Sequence, residues 1–316
     1  MSNAARSIGL LLFFAALQVF AAPQTFEQAK IEARQFVYYD QTQAGTFYCG
    51  CNWQWAGQSG GRVDLKSCGY KTRSQVSRAT RTEWEHVVPA SNIGRARQCW
   101  QKGGRPNCNK TDLVFNAMEA DLHNLTPSVG EVNADSANFR FGVLPATPKR
   151  HGACDFKVDF KGRVAEPRDE VKGQIARIYF YMHDRYDMRL SRQQQQLLMA
   201  WDKRFPISDW ERERDKRIAS RMGHSNPFVT GERRWTLNHK NTADGIVSKI
   251  PTSHPASLVK KAGASTGKIR GNRNSRVYHL PSDCPSYDAI KPKNIIEFSS
   301  VAEAQSTRFR KAGNYR

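Results

Sequence analysis

Six of the seven cysteines, Cys49, Cys51, Cys68, Cys99, Cys108 and Cys154, lie in the first half of the chain, and Cys284 stands alone far downstream. What such a cluster does depends on its redox compartment. The N-terminus has a polar start containing Arg6, an unbroken apolar run from Ile8 to Leu17 and a small-residue end at Ala21-Ala22, the three parts of a secretory signal peptide. Cleavage is expected after Ala21, since Pro23 is a poor first residue. That run is too short to stop in a bilayer, and no later segment approaches the roughly 20 apolar residues a transmembrane helix needs, so no membrane insertion is expected. In the periplasm or outside the cell thiols pair, and an even cluster with one left over implies three disulfides and a remaining Cys284. A zinc knuckle is the rival reading, but Cys49-Gly-Cys51 is too tightly spaced for the usual ligand pair. Cys99 and Cys108 bracket the loop QKGGRPN and are the one pairing proposed. The connectivities among the other four stay open.

Residues 22–237 mix aromatic and aliphatic residues evenly, as one packed domain requires. Phe26, Ala29, Ala33, Phe36 and Val37 fall at helical spacing and predict a helix over 26–38. Further helices are predicted over 169–186, over 191–203 with Ser191 as cap, and from Ser208-Asp209 to Gly223. The last alternates in charge, so a solvated face is expected, with Trp210, Ile218 and Met222 turned inward. Trp84, Trp100, Trp201 and Trp210 read as core. Strands are fewer, giving an α+β domain that is helix-rich with a small sheet. Residues 238–268 shift to Ser, Thr, Ala, Gly, Lys and Pro without apolar period, a flexible linker. Residues 269–316 form a small α/β module, with strands at Arg276-Val-Tyr-His-Leu and Ile295-Ile-Glu-Phe and a helix VAEAQ capped by Ser299-Ser300.

The formal net charge is +20 and the isoelectric point about 9.9, which selects polyanionic partners without identifying chemistry. Chemistry is carried by Thr82-Glu-Trp-Glu-His-Val-Val-Pro89, where Glu85 and His86 set a carboxylate beside an imidazole. Phosphodiester hydrolysis wants a base to deprotonate water and a divalent ion to neutralise the phosphate. His86 suits the first task, and Glu85 supplies the hard oxygen that Mg²⁺ prefers. Consecutive residues of a regular strand point to opposite faces, so the strand must end or bulge at this pair. Pro89 makes an ending reasonable. Arg78, Arg81, Arg95, Arg97, Lys102 and Arg105 surround the motif in sequence, which favours backbone binding indifferent to base sequence.

The blocks EWEHVVPA, QCWQKGGR, MEADLHNL and GEVNADSANFRF, in this order and spacing over roughly 33–228, resemble the bacterial endonuclease I family of periplasmic or secreted nucleases. The resemblance implies a ββα-metal, or His-Me finger, core in which a hairpin and a helix clamp one divalent cation. By it His86 is the general base, Glu85 and Asn133 are the ligands of Mg²⁺ (Mn²⁺ or Ca²⁺ being substitutes), and Arg105 contacts the scissile phosphate. Glu119 matches an acidic position near the metal, a candidate second-layer group. The implied reaction is nonspecific cleavage of DNA, RNA being the other candidate, leaving 5′-phosphate and 3′-hydroxyl ends, by a protein expected to be a monomer. A disulfide between Cys99 and Cys108 would hold the Arg105 loop, so reduction should cost activity. His123-Asn124 reads instead as polar side chains tying down a turn.

The tail stretch RVYHLPSDCPSYDAIKPKN resembles the small module related to the zinc domain of the Ada repair protein. A four-ligand site is not supplied, since only Cys284 and His279 remain, so no metal and a minor role in substrate or surface contact are expected there. An exported noncatalytic DNA-binding or uptake protein explains charge and export equally well, but not the joint occurrence of Glu85, His86, Arg105 and Asn133. A zinc hydrolase lacks any H-E-x-x-H pair.

Overall fold

The structure is a computed structural model that describes residues 22–246, 269–279, 287, 290–298, 303–304, 307 and 309–311. The expected signal peptide, residues 247–268 of the expected linker and Cys284 lie outside them. The chain divides into two units, 1–248 and 249–316.

Thr25 accepts from Gln28 N and opens α1 (Phe26–Glu32). The helical period expected to Tyr38 continues, but over Ala33–Val37 as a π-helix, with Tyr38 N donating to Ala33 O at 2.8 Å, five residues back. A hairpin follows, β1 (Trp53–Ala56) and β2 (Gly60–Val63), then α2 (Val76–Ala79) and β3 (Thr82–His86). Four short helices come next, α3 (Ala90–Gly94), α4 (Gln98–Gln101), α5 (Gly104–Thr111) and α6 (Leu113–Glu119), so the expected Cys99–Cys108 loop is largely helical. A 3₁₀ turn, Leu122–Asn124, leads into β4 (Leu125–Val129) and directly into α7 (Gly130–Ser136). A three-stranded sheet of β5 (Arg140–Phe141), β6 (Lys157–Asp159) and β7 (Val164–Glu166), in the order β5-β7-β6, precedes α8 (Asp169–Arg185), α9 (Arg192–Arg204), α10 (Asp209–Met222) and α11 (Pro227–Thr230). Helices with small separate sheets are the α+β class expected.

β3 pairs antiparallel with β4, Glu83 opposite Ser128, Glu85 opposite Thr126 and His86 opposite Leu125. The strand ends at His86, the residue where an ending or bulge was required. Asn124 locks that end, its Oδ1 accepting from Val88 N at 2.7 Å and its Nδ2 donating to Val88 O at 3.0 Å. The turn-fixing reading of His123-Asn124 accords with this. α7 packs so closely on β3 that a Cβ at Gly130 would lie 2.6 Å from Arg78 O and 2.9 Å from Glu83 Cδ. Any side chain there would push the helix off the strand.

The core centres on α8, buried from Val171 to Asp184. Trp84 and Trp201 are buried, and Trp100 and Trp210 pack half-buried against the core. Three disulfides brace the domain: Cys99–Cys108 as proposed, Cys49–Cys154 and Cys51–Cys68.

The expected solvated charges of α10 need correction. Ser208 caps the helix and Gly223 ends it at φ 77°, and Ile218 is buried beside Trp210 and Met222, yet Glu211, Arg214, Asp215 and Arg221 are at most 8 % exposed. Each charge has partners. Arg177 grips Glu211 through two bonds of 2.6 and 2.7 Å. Arg221 pairs with Glu32 at 2.6 Å. Arg214 donates to Tyr38 Oη and to the carbonyls of Leu122, His123 and Leu125 at 2.6–3.1 Å. That guanidinium neutralises the end of the 3₁₀ turn and so fixes the start of β4, opposite His86.

The chain expected to be free from Asn238 remains attached as far as Gly245. Asp184 accepts from His239 at 2.7 Å and from Thr242 at 3.0 Å, and Gly245 N donates to Arg185 O at 2.9 Å.

In the second unit β8 (Ile269–Asn272), β9 (Val277–His279), β10 (Ile295–Phe298) and β11 (Arg310–Lys311) form one sheet, ordered β10-β8-β9-β11. The second and third are the strands expected; β8 and β11 carried no alternation strong enough to be read. Tyr278, Phe298, Ala304 and Phe309 form its small core. Of VAEAQ, Glu303 and Ala304 are described and helical, and the expected cap Ser299-Ser300 lies outside the described residues.

Candidate active site

The end of β3, the β1–β2 turn, α1, α3, α5 and α7 enclose a cleft of about 510 Å³. Glu85, His86, Arg105 and Asn133, named from sequence, all line it, and Glu119 does not.

His86 is 9 % exposed. Its Nε2 lies 2.8 Å from the backbone carbonyl of Glu119. A carbonyl only accepts, so Nε2 carries the hydrogen and Nδ1 keeps its lone pair. Burial, helped by the nearby Arg105 charge and opposed by that carbonyl, brings the imidazole pKa down to about 4, and the ring is neutral at pH 7. Phe26 packs on it at 4.6 Å between ring centroids.

Glu85 is 5 % exposed. Oε1 accepts from Tyr48 Oη at 3.0 Å and faces Ser136 Oγ at 3.4 Å. Both are neutral, and Glu85 has no ion-pair partner among the described residues. Burial therefore pushes its pKa up to about 8, against the lowering effect of the two hydroxyls. A buried carboxylate with neutral donors alone is costly unless a cation joins it.

Asn133 projects from α7 to the same cleft. Its Nδ2 donates to Glu83 Oε2 at 3.2 Å, which leaves Oδ1 as the end able to meet a cation. Glu83 is itself held by Arg78 and Arg81. Glu131, in the first turn of α7, anchors the approach to α2 by accepting from the backbone N–H groups of Arg73, Ser74 and Gln75 at 3.0, 2.7 and 2.5 Å. Among the described residues no group of three or more His, Cys, Asp or Glu forms a metal cage. One carboxylate and one amide are a sparser set, of the kind Mg²⁺ accepts because it keeps its waters.

Arg105 sits on α5, between the two half-cystines of Cys99–Cys108. Its Nε donates to Glu119 Oε1, while Glu119 Oε2 takes Asn109 Nδ2 at 2.6 Å. The guanidinium lies 5.3 Å over the Phe26 ring. Among the described residues neither terminal nitrogen has a protein acceptor, and the arginine is about two-fifths exposed. Glu119 thus bears on the site twice, by its carboxylate on Arg105 and by its carbonyl on His86.

The six basic residues read around the motif separate in space. Arg78 and Arg105 line the cleft. Arg81 turns to Glu83, Arg97 to Asp112 at 2.7 Å, Arg95 lines another pocket, and Lys102 is exposed at the end of α4. Lys30, Phe26, Tyr48, Ser136 and Glu83 were not among the site residues expected from the sequence. Only Glu83 had a local signal, two residues before Glu85 on the same strand face.

A neutral imidazole, a buried carboxylate without an ion-pair partner among the described residues and an arginine line one cleft of a strongly basic chain, groups that suit a phosphodiester, and the protein is a nuclease. The profile of the endonuclease I family matches residues 25–232, and the chain belongs to that family. It is 45 % identical over 237 residues to a periplasmic deoxyribonuclease of Aeromonas hydrophila, covering 72 % of this chain and 98 % of that one. An extracellular deoxyribonuclease of the same organism is 48 % identical over 223 residues, 69 % of this chain and 96 % of its own. Endonuclease-1 of Buchnera aphidicola subsp. Acyrthosiphon pisum is 44 % identical over 206 residues, 65 % and 80 % respectively. The chain is a periplasmic or secreted endonuclease, consistent with its three disulfides. Among the described residues no helix is long and apolar enough to cross a membrane.

Proposed function

We propose that the protein hydrolyses DNA without sequence preference, with His86 as general base, Glu85 and Asn133 holding one divalent cation, and Arg105 gripping the scissile phosphate. The observation that supports this is the tautomer of His86, whose proton is held on Nε2 by Glu119 O, so that Nδ1 keeps its lone pair. DNA is taken from the relatives, two of which are named deoxyribonucleases; RNA is the other candidate. β3, which carries Glu85 and His86, its antiparallel partner β4, and α7, which carries Asn133, fit a ββα-metal core.

When bound, the cation, Mg²⁺ by the hardness of its two oxygen donors, offsets charge on the phosphate and on the departing 3′ oxygen. His86 takes the proton of the attacking water at Nδ1. Arg105 presents its terminal nitrogens to the phosphate, oriented by Glu119 and Phe26. The products carry 5′-phosphate and 3′-hydroxyl ends. Residues 269–316 enter as a separate module without metal, of minor role in substrate contact.

Supercoiled plasmid incubated with purified, oxidised protein should be nicked and then fragmented with Mg²⁺, stay intact with EDTA, and be cut more slowly as salt rises. Digestion in EDTA would overturn the metal. Cys99→Ser with Cys108→Ser should lower turnover about 10²-fold, because Arg105 loses its frame, beside a stability loss of about 2–4 kcal/mol. Activity assayed well below the variant's melting temperature separates the two effects, and full activity there would sink the framing role.

A further inference from the structure

A second cleft, of about 730 Å³, adjoins the first at Asn138, which lines both. Asn138 follows a sharp turn at Ala137, φ 46°, and is held by Ser91 Oγ at 3.2 Å and by Arg163. The rim of this second cleft carries Arg95, Arg97, Arg140 and Arg189. Arg97 is engaged by Asp112. The other three guanidinium groups are exposed and have no protein acceptor among the described residues. Asp187 is the one carboxylate in the lining, and its Oδ1 takes Asn241 Nδ2 at 3.1 Å.

The inner wall is different. Tyr179, His183, Met188, Leu190 and Ile93 contribute to it. The His183 ring lies parallel to Tyr179 within 14°, centroids 5.8 Å apart. Its Nδ1 is 3.0 Å from Met188 O and so carries the hydrogen. Nε2 is left as a lone-pair acceptor, buried and without a partner among the described residues, on a ring only 5 % exposed. Orphaned buried acceptors are rare and call for a donor. The volume is that of a small-molecule site, with a cationic rim, an aromatic and thioether wall, and one acceptor at depth.

We propose that this second cleft is a nucleotide subsite: one unpaired base of the strand running on from the hydrolytic cleft enters it, an N–H of that base donating to His183 Nε2, while Arg95, Arg140 and Arg189 hold the flanking phosphates. The inference rests on the nuclease reading above and adds a substrate form, a strand with at least one unstacked base next to the cut. Stacking and one buried hydrogen bond make the base worth about tenfold in affinity.

The test uses single-stranded deoxydecamers, each with one 2-aminopurine at a different position, bound in EDTA to the full-length His86→Ala protein. Quenching of the 2-aminopurine is expected, relieved by His183→Phe with about tenfold weaker binding. Should His183→Phe fail to fold, Arg140→Gln with Arg189→Gln, both on exposed side chains, keeps the question open to decision. In an otherwise unaltered protein that pair should lower kcat/KM for the decamer about tenfold relative to bis(4-nitrophenyl) phosphate, which is too small to span both clefts. Quenching that His183→Phe leaves unchanged overturns the subsite, and so does an equal loss from Lys66→Gln, an exposed lysine outside the cleft. A parent protein that hydrolyses neither substrate refutes the nuclease reading itself, whereas equal loss on both substrates refutes the subsite alone.

Discussion

Replacing His86 by alanine is expected to slow plasmid cleavage by about 10²–10⁴-fold, the range of a positioned general base, with the thermal midpoint shifted by only a few degrees. Among the described residues the ring makes one hydrogen bond, to Glu119 O, and one aromatic contact, to Phe26, so its loss is small for the fold and large for the chemistry. The pH profile separates this role from a structural one. A base works only unprotonated, and burial brings His86 to about 4 instead of 6.5. With metal saturating, activity should hold from pH 8 down to about 5 and fall below that. A protonation limb near 6.5, absent from the His86→Ala protein, would mean that the ring is solvated and not held as drawn. Parent-like digestion by His86→Ala would remove it from the mechanism.

Much of this site was legible because its residues are close in sequence or carried by long periodic elements. Glu85 and His86 are adjacent, Arg105 lies between paired cysteines, and α8 and α9 repeat apolar residues at 3.6 over many turns. What was illegible is long-range. Tyr48 reaches Glu85 across 37 positions, and Phe26 reaches His86 across an intervening hairpin; neither has a local pattern that marks it. α10 misled for a related reason: alternating charge looks solvated unless the opposite charges that meet it, Glu32 and Arg177, are known to fold back onto it. The basic run from Arg78 to Arg105 likewise suggested one patch, but four short helices turn its members to different faces. The carbonyl of Glu119, which decides where the proton sits on His86, belongs to the backbone and has no sequence signature at all.

Glu85→Gln should reduce metal-dependent turnover by about 10³-fold, since a cation supplies several kcal/mol of charge stabilisation at the phosphate, while the protein still retains DNA at low salt. The substitution keeps the shape and the Tyr48 contact and removes only the charge. The sign of the coupling to pH follows from burial. Glu85 holds its proton up to about pH 8 when no cation is bound, and a cation must displace that proton. Apparent Mg²⁺ affinity should therefore rise about tenfold per pH unit from 6 to 8 and level off above, with proton release on Mg²⁺ addition in weakly buffered solution. The glutamine variant has no proton to release, so its weak residual affinity should be flat over this range. Affinity that climbs with pH in the variant as in the parent would place the cation on another carboxylate, with Glu83, bound between Arg78, Arg81 and Asn133, the next group to replace. Loss of DNA retention at low salt would show that Glu85 holds the strand end together, because a ligand to the cation has no direct part in gripping the phosphate backbone.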